Sequence, residues 1–354
     1  MYNPRIDNQL SCALAALTSS KYRPAVNGGF HDPMYLPAAL KRRLRATSQW
    51  QAISLQVPQD SIQVRLVTAT HEFDVTGNNV IAALKPLTIS IGLDAPMRSA
   101  VGLESEPELH LVDRDFERPI GILRLRHMRH WNTAEALLGL FEVRHGTHRC
   151  APWARRAWDG LMYRRAARRN KRPDSLALTP SAVEQTMIFY LCPRPVYLVS
   201  VNDGEHSNIF PMDLVGPIVP GRFTLALRNT SPSVETIKST RKAAISGVPA
   251  NDYQIAYQLG AHHSKIAIDP ETLPFSLSRS KEFSLPTPIT ALRVRELEIL
   301  DFQSIGSHTL FVGRVVSDES LRSGPQMCHT CGVHQRLRVR HERAFEIPVS
   351  GAHP

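Results

Sequence analysis

The chain has 354 residues, 42 % hydrophobic and 21 % charged, with 42 Lys and Arg against 32 Asp and Glu for a formal net charge of +10. This is the balance of a chain that folds around real cores, long enough for two domains, with no apolar run near the ~18 residues that would cross a bilayer. Five cysteines, Cys12, Cys150, Cys192, Cys328 and Cys331, are too sparse and odd in number for a disulfide framework, so reduced thiols are expected.

Residues 1–48 read as an N-terminal arm, with a basic cluster at Lys41, Arg42, Arg43 and Arg45 and no sustained period. Arg5 and Asp7 precede only a short apolar patch from Leu10 to Leu17, a poor signal peptide, and a cytoplasmic protein is expected.

Residues 49–175 read as an α+β domain of unassigned role. Short β-like runs fall at Ser61–Val67, Leu87–Leu93, Glu108–Val112 and Gly121–Arg126, with a turn over Asp115–Pro119 joining the last two as a hairpin. Asn132 is placed to cap a helix from Thr133 to Phe141. The domain ends in an Arg-rich helix, on which Trp153, Ala157, Trp158, Leu161 and Met162 form one apolar stripe expected to pack on a core. Between Arg144 and Arg172 there are ten Lys and Arg and one acid, Asp159. The excess charge of the whole chain therefore sits there. Lys171-Arg172-Pro173-Asp174 breaks the helix, because proline cannot continue the hydrogen-bond ladder.

Residues 182–320 change character to turn-punctuated strands, ahead of a C-terminal tail at 321–354. Val196–Val201 is a strand, Asn202-Asp203-Gly204-Glu205 a hairpin turn, and Phe223–Leu227 a further strand. A helix is predicted over Ser233–Thr240, with Ser231 or Ser233 as cap and Glu235 in the first turn. Ala243–Val248, Ile289–Ile299 and Thr309–Val316 complete a closed antiparallel barrel. The fold class is thus α+β, mainly β.

Three runs carry chemistry in this region: Ser207-Asn208-Ile209-Phe210-Pro211-Met212, Arg228-Asn229-Thr230-Ser231-Pro232-Ser233, and Gly306-Ser307-His308-Thr309-Leu310-Phe311. Hydroxyls at a turn entering a helix suit a phosphate, since unpaired N–H groups and the helix dipole both favour an anion there. Arg228 and Lys238 are near enough in sequence to add charge. In their order and spacing the three runs resemble the flavin reductase-like family, whose members bind FMN on a split β-barrel.

That resemblance implies several things. It places phosphate contacts on Ser231 and Ser233 and backbone contacts to the flavin ring on Asn208, Ile209, Phe210, Pro211, Met212 and Asp213. It sets His308 beside the flavin as the catalytic candidate, with NADH or NADPH as co-substrate stacking on FMN and passing hydride in a ping-pong relay. It also implies a homodimer of paired barrels, and a monooxygenase, free flavin or another electron acceptor. Met212-Asp213 departs from the small or hydroxyl residues usual in the family, and no nicotinamide signature is present. A non-catalytic flavin-binding or regulatory protein, whose basic N-terminal part engages a partner, is the alternative.

Other signals compete. Cys328-His329-Thr330-Cys331 followed by His334 has zinc-knuckle spacing but lacks a fourth ligand unless His341 or a partner serves. No metal is expected. The Arg-rich helix, with Trp153 or Trp158 as stacking surfaces, would suit nucleic acid, but a solvated face or a subunit contact is the expected use.

Overall fold

The computed structural model describes residues 51–54, 62–102, 106–114, 118–133, 136–150, 154, 156–158, 161, 176 and 178–331. The expected arm, His334 and His341, and most of the Arg-rich segment lie outside these residues. After strand β1 (Gln51–Ser54) come β2 (Ile62–Val67), β3 (Glu72–Asp74), β4 (Asn79–Leu84), β5 (Leu87–Gly92), a short helix α1 (Ala95–Ala100), β6 (Glu108–Asp113), β7 (Arg118–Asn132) and β8 (Leu137–His148). β2 to β8 form a seven-stranded antiparallel sheet in the order β3-β2-β6-β7-β8-β5-β4.

Local sequence explains much of this sheet. In β2, Ile62, Val64 and Leu66 are buried while Gln63 and Arg65 are half-buried, the alternation of a strand with one face on a core. β6 and β7 pair as the expected hairpin. The helix predicted over Thr133–Phe141 gives way to strand β8 from Leu137, whose residues 138–142 pair with both β7 and β5, while residues 134–135 lie outside the described residues. Leu137, Leu138, Leu140 and Phe141 are apolar because that strand is covered on both faces, and an unbroken apolar run carries no period to tell strand from helix.

In the Arg-rich segment, Ala154, Arg156, Ala157, Trp158 and Leu161 are helical as predicted. The described members of the stripe do not pack on a core: Trp158 is 37 % and Leu161 51 % exposed. Helix α2 (Pro180–Phe189) follows, capped by Thr179, whose side chain accepts from the Ala182 amide. It lays Val183, Met187 and Ile188 on β7 and β8, each buried side chain contributing roughly 1.5–3 kcal/mol.

The second half contains β9 (Arg194–Pro195), β10 (Tyr197–Asn202), β11 (Ser207–Met212), β12 (Val215–Val219), β13 (Arg222–Arg228), α3 (Ser233–Thr240) and β14 (Lys242–Gly247). A helical excursion that includes α4 (Tyr253–Gln258), a small ribbon of β15 (Leu277–Arg279) and β16 (Pro286–Pro288), the long hairpin β17 (Arg293–Ile305) and β18 (His308–Ser320), and β19 (Cys328–Cys331) complete it. β19 lies between β1 and β9. The second seven-stranded sheet runs β11-β10-β14-β17-β18-β13-β12. Its ladder does not close between β11 and β12, so the expected closed barrel is split at that seam. The seam is where a site can open.

The helix at Ser233–Thr240 and the predicted strands stand where the sequence puts them, save that the strand expected from Ile289 begins at Arg293, but neither serine caps that helix. Pro232 occupies the cap position, and no side chain bonds the first-turn amides. The hairpin turn after β10 is tightened by Gly204 at φ +98°, a conformation glycine adopts without steric cost.

Candidate functional site

A cleft lies where the end of β11 faces the end of β13 and the start of α3. It is lined by Leu84, Phe210, Pro211, Met212, Asp213, Leu214, Ala226, Leu227, Arg228, Ser231, His263 and His308, with about 450 Å³ of space counting the solvent at its mouth. One wall is apolar and the other carries Arg228, Ser231 and two imidazoles. That division suits a ligand with a flat apolar part and an anionic end.

The polar wall is built by ladder register and turn chemistry. β13 pairs with β18 so that Arg228 stands opposite His308. Asn229 then locks the two segments together: its amide donates to the Ser307 carbonyl (3.1 Å), its Nδ2 to the Gly306 carbonyl (2.9 Å), and its Oδ1 accepts from Thr309 Oγ1 (3.0 Å). Gly306 has φ +52°, and a Cβ there would lie 2.3 Å from the Lys85 carbonyl oxygen. Backbone conformation and space both demand glycine at this turn.

His308 is 1 % exposed and shares a hydrogen bond between Nδ1 and Ser307 Oγ at 2.8 Å. Burial first, and then the Arg228 charge, push its pKa down to about 3, so the ring is neutral at physiological pH. His263 is likewise held below the usual imidazole range by burial, which outweighs its bond with the Gly260 carbonyl, and by Arg228. A neutral ring can donate or accept one hydrogen bond toward a ligand but does not bring positive charge. Arg228 does.

Of the residues chosen from sequence, Phe210, Pro211, Met212, Asp213, Arg228, Ser231 and His308 line the cleft. Ser231 Oγ donates to the His263 carbonyl at 2.7 Å, so its proton is engaged and it must rotate to donate elsewhere. Ser233 is buried beneath the helix start, where its Oγ accepts from Asn208 Nδ2 at 3.4 Å, and it does not line the cleft. Asn208 also donates to the His262 and Lys265 carbonyls, fastening the excursion after α4 to the barrel. Its Oδ1 has no hydrogen-bond partner among the described residues. Ile209 points into a separate apolar cluster, and Lys238 pairs with Glu235 at 2.8 Å away from the cleft.

Asp213 reaches the cleft but spends its carboxylate elsewhere. Its Oδ2 accepts from Tyr190 OH at 2.8 Å and contacts His329 Nδ1 at 2.5 Å, with all three residues buried. This ties α2, the end of β11 and β19 together behind the cleft. Cys328 and Cys331 are three apart on β19 and both buried, so they project to opposite faces of the strand. Among the described residues no group of three His, Cys, Asp or Glu is placed to hold a metal ion.

Sequence reasoning missed His263, Leu84, Leu214, Ala226 and Leu227. His262-His263 sits in a short 3-10 helical stretch, Leu259–Ser264, with no sequence period to give its placement away, and Leu84 comes from the other sheet. Only the fold brings them here.

Residues 189–328 match the family model described as the flavin reductase like domain. Among solved structures, the chain is similar to an FMN-binding protein from Thermus thermophilus with bound 1-cyclohex-2-enone, at 23 % identity over 36 % of this chain and 71 % of that one, with a TM-score of 0.33. It is similar to an NADH:FAD oxidoreductase of Streptomyces globisporus at 17 % identity, over 46 % and 95 % of the two chains, with a TM-score of 0.39. The styrene monooxygenase flavin reductase of Pseudomonas putida gives 18 % identity, 39 % and 87 % coverage, and a TM-score of 0.33. No curated protein matches the chain.

Proposed function

We propose, from the premise that residues 189–328 are a flavin reductase-like domain, that the cleft binds FMN and that the protein is an NAD(P)H-dependent flavin oxidoreductase. The observation that carries this reading is the start of α3. Its first-turn amides have no side-chain cap; Val234 N and Glu235 N donate to the Ser231 and Pro232 carbonyls, which leaves the Ser233 amide, and Arg228 and Ser231 stand beside it on the polar wall of the cleft. An uncapped helix start with a guanidinium is an anion site, and the apolar wall opposite accepts a ring. The residues present fit the cofactor.

In this reading Arg228 and the Ser233 amide at the start of α3 hold the phosphate, with Ser231 adding a hydroxyl. Phe210, Met212 and Leu84 exclude water from the ring, and the backbone of residues 208–213 offers hydrogen bonds along its edge. Bound FMN supplies the redox chemistry, accepting a hydride from NADH or NADPH and giving electrons up again. His308, neutral in its buried setting, orients the cofactor or the incoming nicotinamide by a hydrogen bond. Free flavin or a partner enzyme such as a monooxygenase is the acceptor, in a cytoplasm that keeps the buried thiols reduced. No helix among the described residues is long and apolar enough to cross a membrane. The resemblance also implies barrels side by side, which an identical subunit or the remainder of this chain can supply.

The visible spectrum of the purified protein is the test. A yellow band, or uptake of added FMN, supports the site, whereas a colourless protein that takes up none rejects it. Anaerobic bleaching of the band by NADH or NADPH separates the oxidoreductase from the non-catalytic flavin-binding protein, which would stay yellow.

A further inference from the structure

Numbered within each half, the first sheet runs 2-1-5-6-7-4-3 (β3-β2-β6-β7-β8-β5-β4), and the second runs 2-1-5-6-7-4-3 as well (β11-β10-β14-β17-β18-β13-β12). Each half inserts a helix between its fourth and fifth strands, α1 in one and α3 in the other. Strands six and seven are the long hairpin of each sheet. A seven-strand order with the same helix insertion marks an internal repeat.

The halves pack through equivalent parts. β4, a third strand, lies on β12, the other third strand, and also on β13; β5 in turn lies on β12. Trp131 on one sixth strand donates to Asp301 on the other at 3.0 Å. Two glycines allow this approach. A Cβ on Gly92 would stand 1.9 Å from the Ile218 carbonyl oxygen, and one on Gly216 would stand 2.9 Å from Val80 Cγ2. One buried apolar cluster runs through the contact, from Ile81, Ile89 and Ile91 to Leu214, Ile218 and Leu310. This is the self-complementary contact of a two-fold dimer, made within one chain.

The pairing is lopsided at the cleft. The β4–β5 turn reaches the turn before His308: Ser307 N donates to the Lys85 carbonyl at 2.9 Å, and Lys85 N donates to Ser307 Oγ at 3.0 Å, the same oxygen that meets His308 Nδ1. Leu84 forms part of the cleft wall. The twin position in the first half has lost its chemistry. Gly92 pairs with Leu138 on the seventh strand where Arg228 pairs with His308, and Pro96 follows Gly92 by four residues as Pro232 follows Arg228. Aligned on these anchors, Ala95 stands for Ser231 and Met97 for Ser233. Asp94, whose carboxylate accepts from the Met97 amide and caps α1, puts an anion where a phosphate would go.

We infer that the first half is a second barrel fused in cis that serves as the missing subunit: it walls the flavin cleft with Leu84 and braces Ser307 and His308 through Lys85. The chain therefore carries one phosphorylated-flavin site and needs no second copy to complete it. The one-flavin part rests on the flavin reading above, while the internal pairing does not.

The test is sedimentation of the full chain across a range of concentrations, with and without FMN, alongside the FMN stoichiometry. A single chain of 39.6 kDa binding one FMN is expected. FMN retained only by dimers, one FMN per two chains, or two per chain would overturn the inference. A single chain that binds no FMN would sink the flavin reading and leave the internal pairing supported, whereas an obligate dimer with no FMN would sink both. Leu84→Arg should lower FMN affinity tenfold or more at unchanged sedimentation, and unchanged affinity removes the first half from the site. If that variant misfolds, Leu84→Ala with the same titration decides the matter.

Discussion

Acid should unfold this protein through its buried histidines, and His308 provides the sharpest case. Its pKa falls from the ordinary 6.5 to about 3 in the fold, through burial and then Arg228. The unfolded chain takes up a proton as pH drops below 6.5 while the folded chain does not, so stability is complete above that value and is lost as pH falls toward 3. Between pH 7 and pH 5 the unfolded state gains about 2 kcal/mol from this one ring. His148, lowered to about 4 by burial and Arg156, adds a similar amount over the same window. Together they are a large part of the 5–15 kcal/mol typical of a folded protein. The assay is urea unfolding followed by tryptophan fluorescence at pH 7 and pH 5, for the wild type and for His308→Asn. The variant should lose about 2 kcal/mol less on acidification than the wild type, whatever its stability at pH 7. Equal acid sensitivity in the two proteins would refute a neutral, buried His308.

Further predictions concern the cofactor corner and the contact between halves. Arg228→Gln should weaken FMN binding by about 1.5–3 kcal/mol, the worth of a charge-assisted contact, in a fluorescence titration; unchanged affinity would move the phosphate elsewhere. Ser231→Ala should cost less affinity than Arg228→Gln, because its proton already goes to the His263 carbonyl, and Ser233→Ala should act on stability through Asn208 rather than on FMN. A larger affinity loss from Ser233→Ala than from Ser231→Ala in the same titration would contradict the placement. Gly92→Ala should cost about 1–3 kcal/mol by forcing a methyl against the Ile218 carbonyl. Gly102→Ala, with nothing within 4 Å, should be close to neutral, and equal melting of the two variants would show that the halves do not meet as described.

The residues that line the cleft were largely legible because they depend on local order. A strand, an Asp-Gly turn, a Ser-Pro-Ser helix start and a Gly-Ser-His turn each follow from a few neighbouring residues, and their spacing survives in the fold. The roles within the corner were less legible. Ser231 and Ser233 are two residues apart in one run, yet only Ser231 reaches the cleft. The apolar stripe on Trp158 and Leu161 predicted a helix correctly and its burial wrongly, since periodicity reports which residues share a face and not what that face meets.

From its sequence alone the chain sets out its β-rich character, the basic segment around Arg144–Arg172 and the helix at Ser233–Thr240. These rest on composition and on turns whose stereochemistry is local. The tertiary structure decided that residues 62–148 repeat the topology of the second barrel and that the β4–β5 hairpin supplies Leu84 to the cleft. A backbone ladder tolerates almost any apolar side chain, so the two halves keep one strand order while sharing few residues, and their pairing is written in register and packing rather than in any motif.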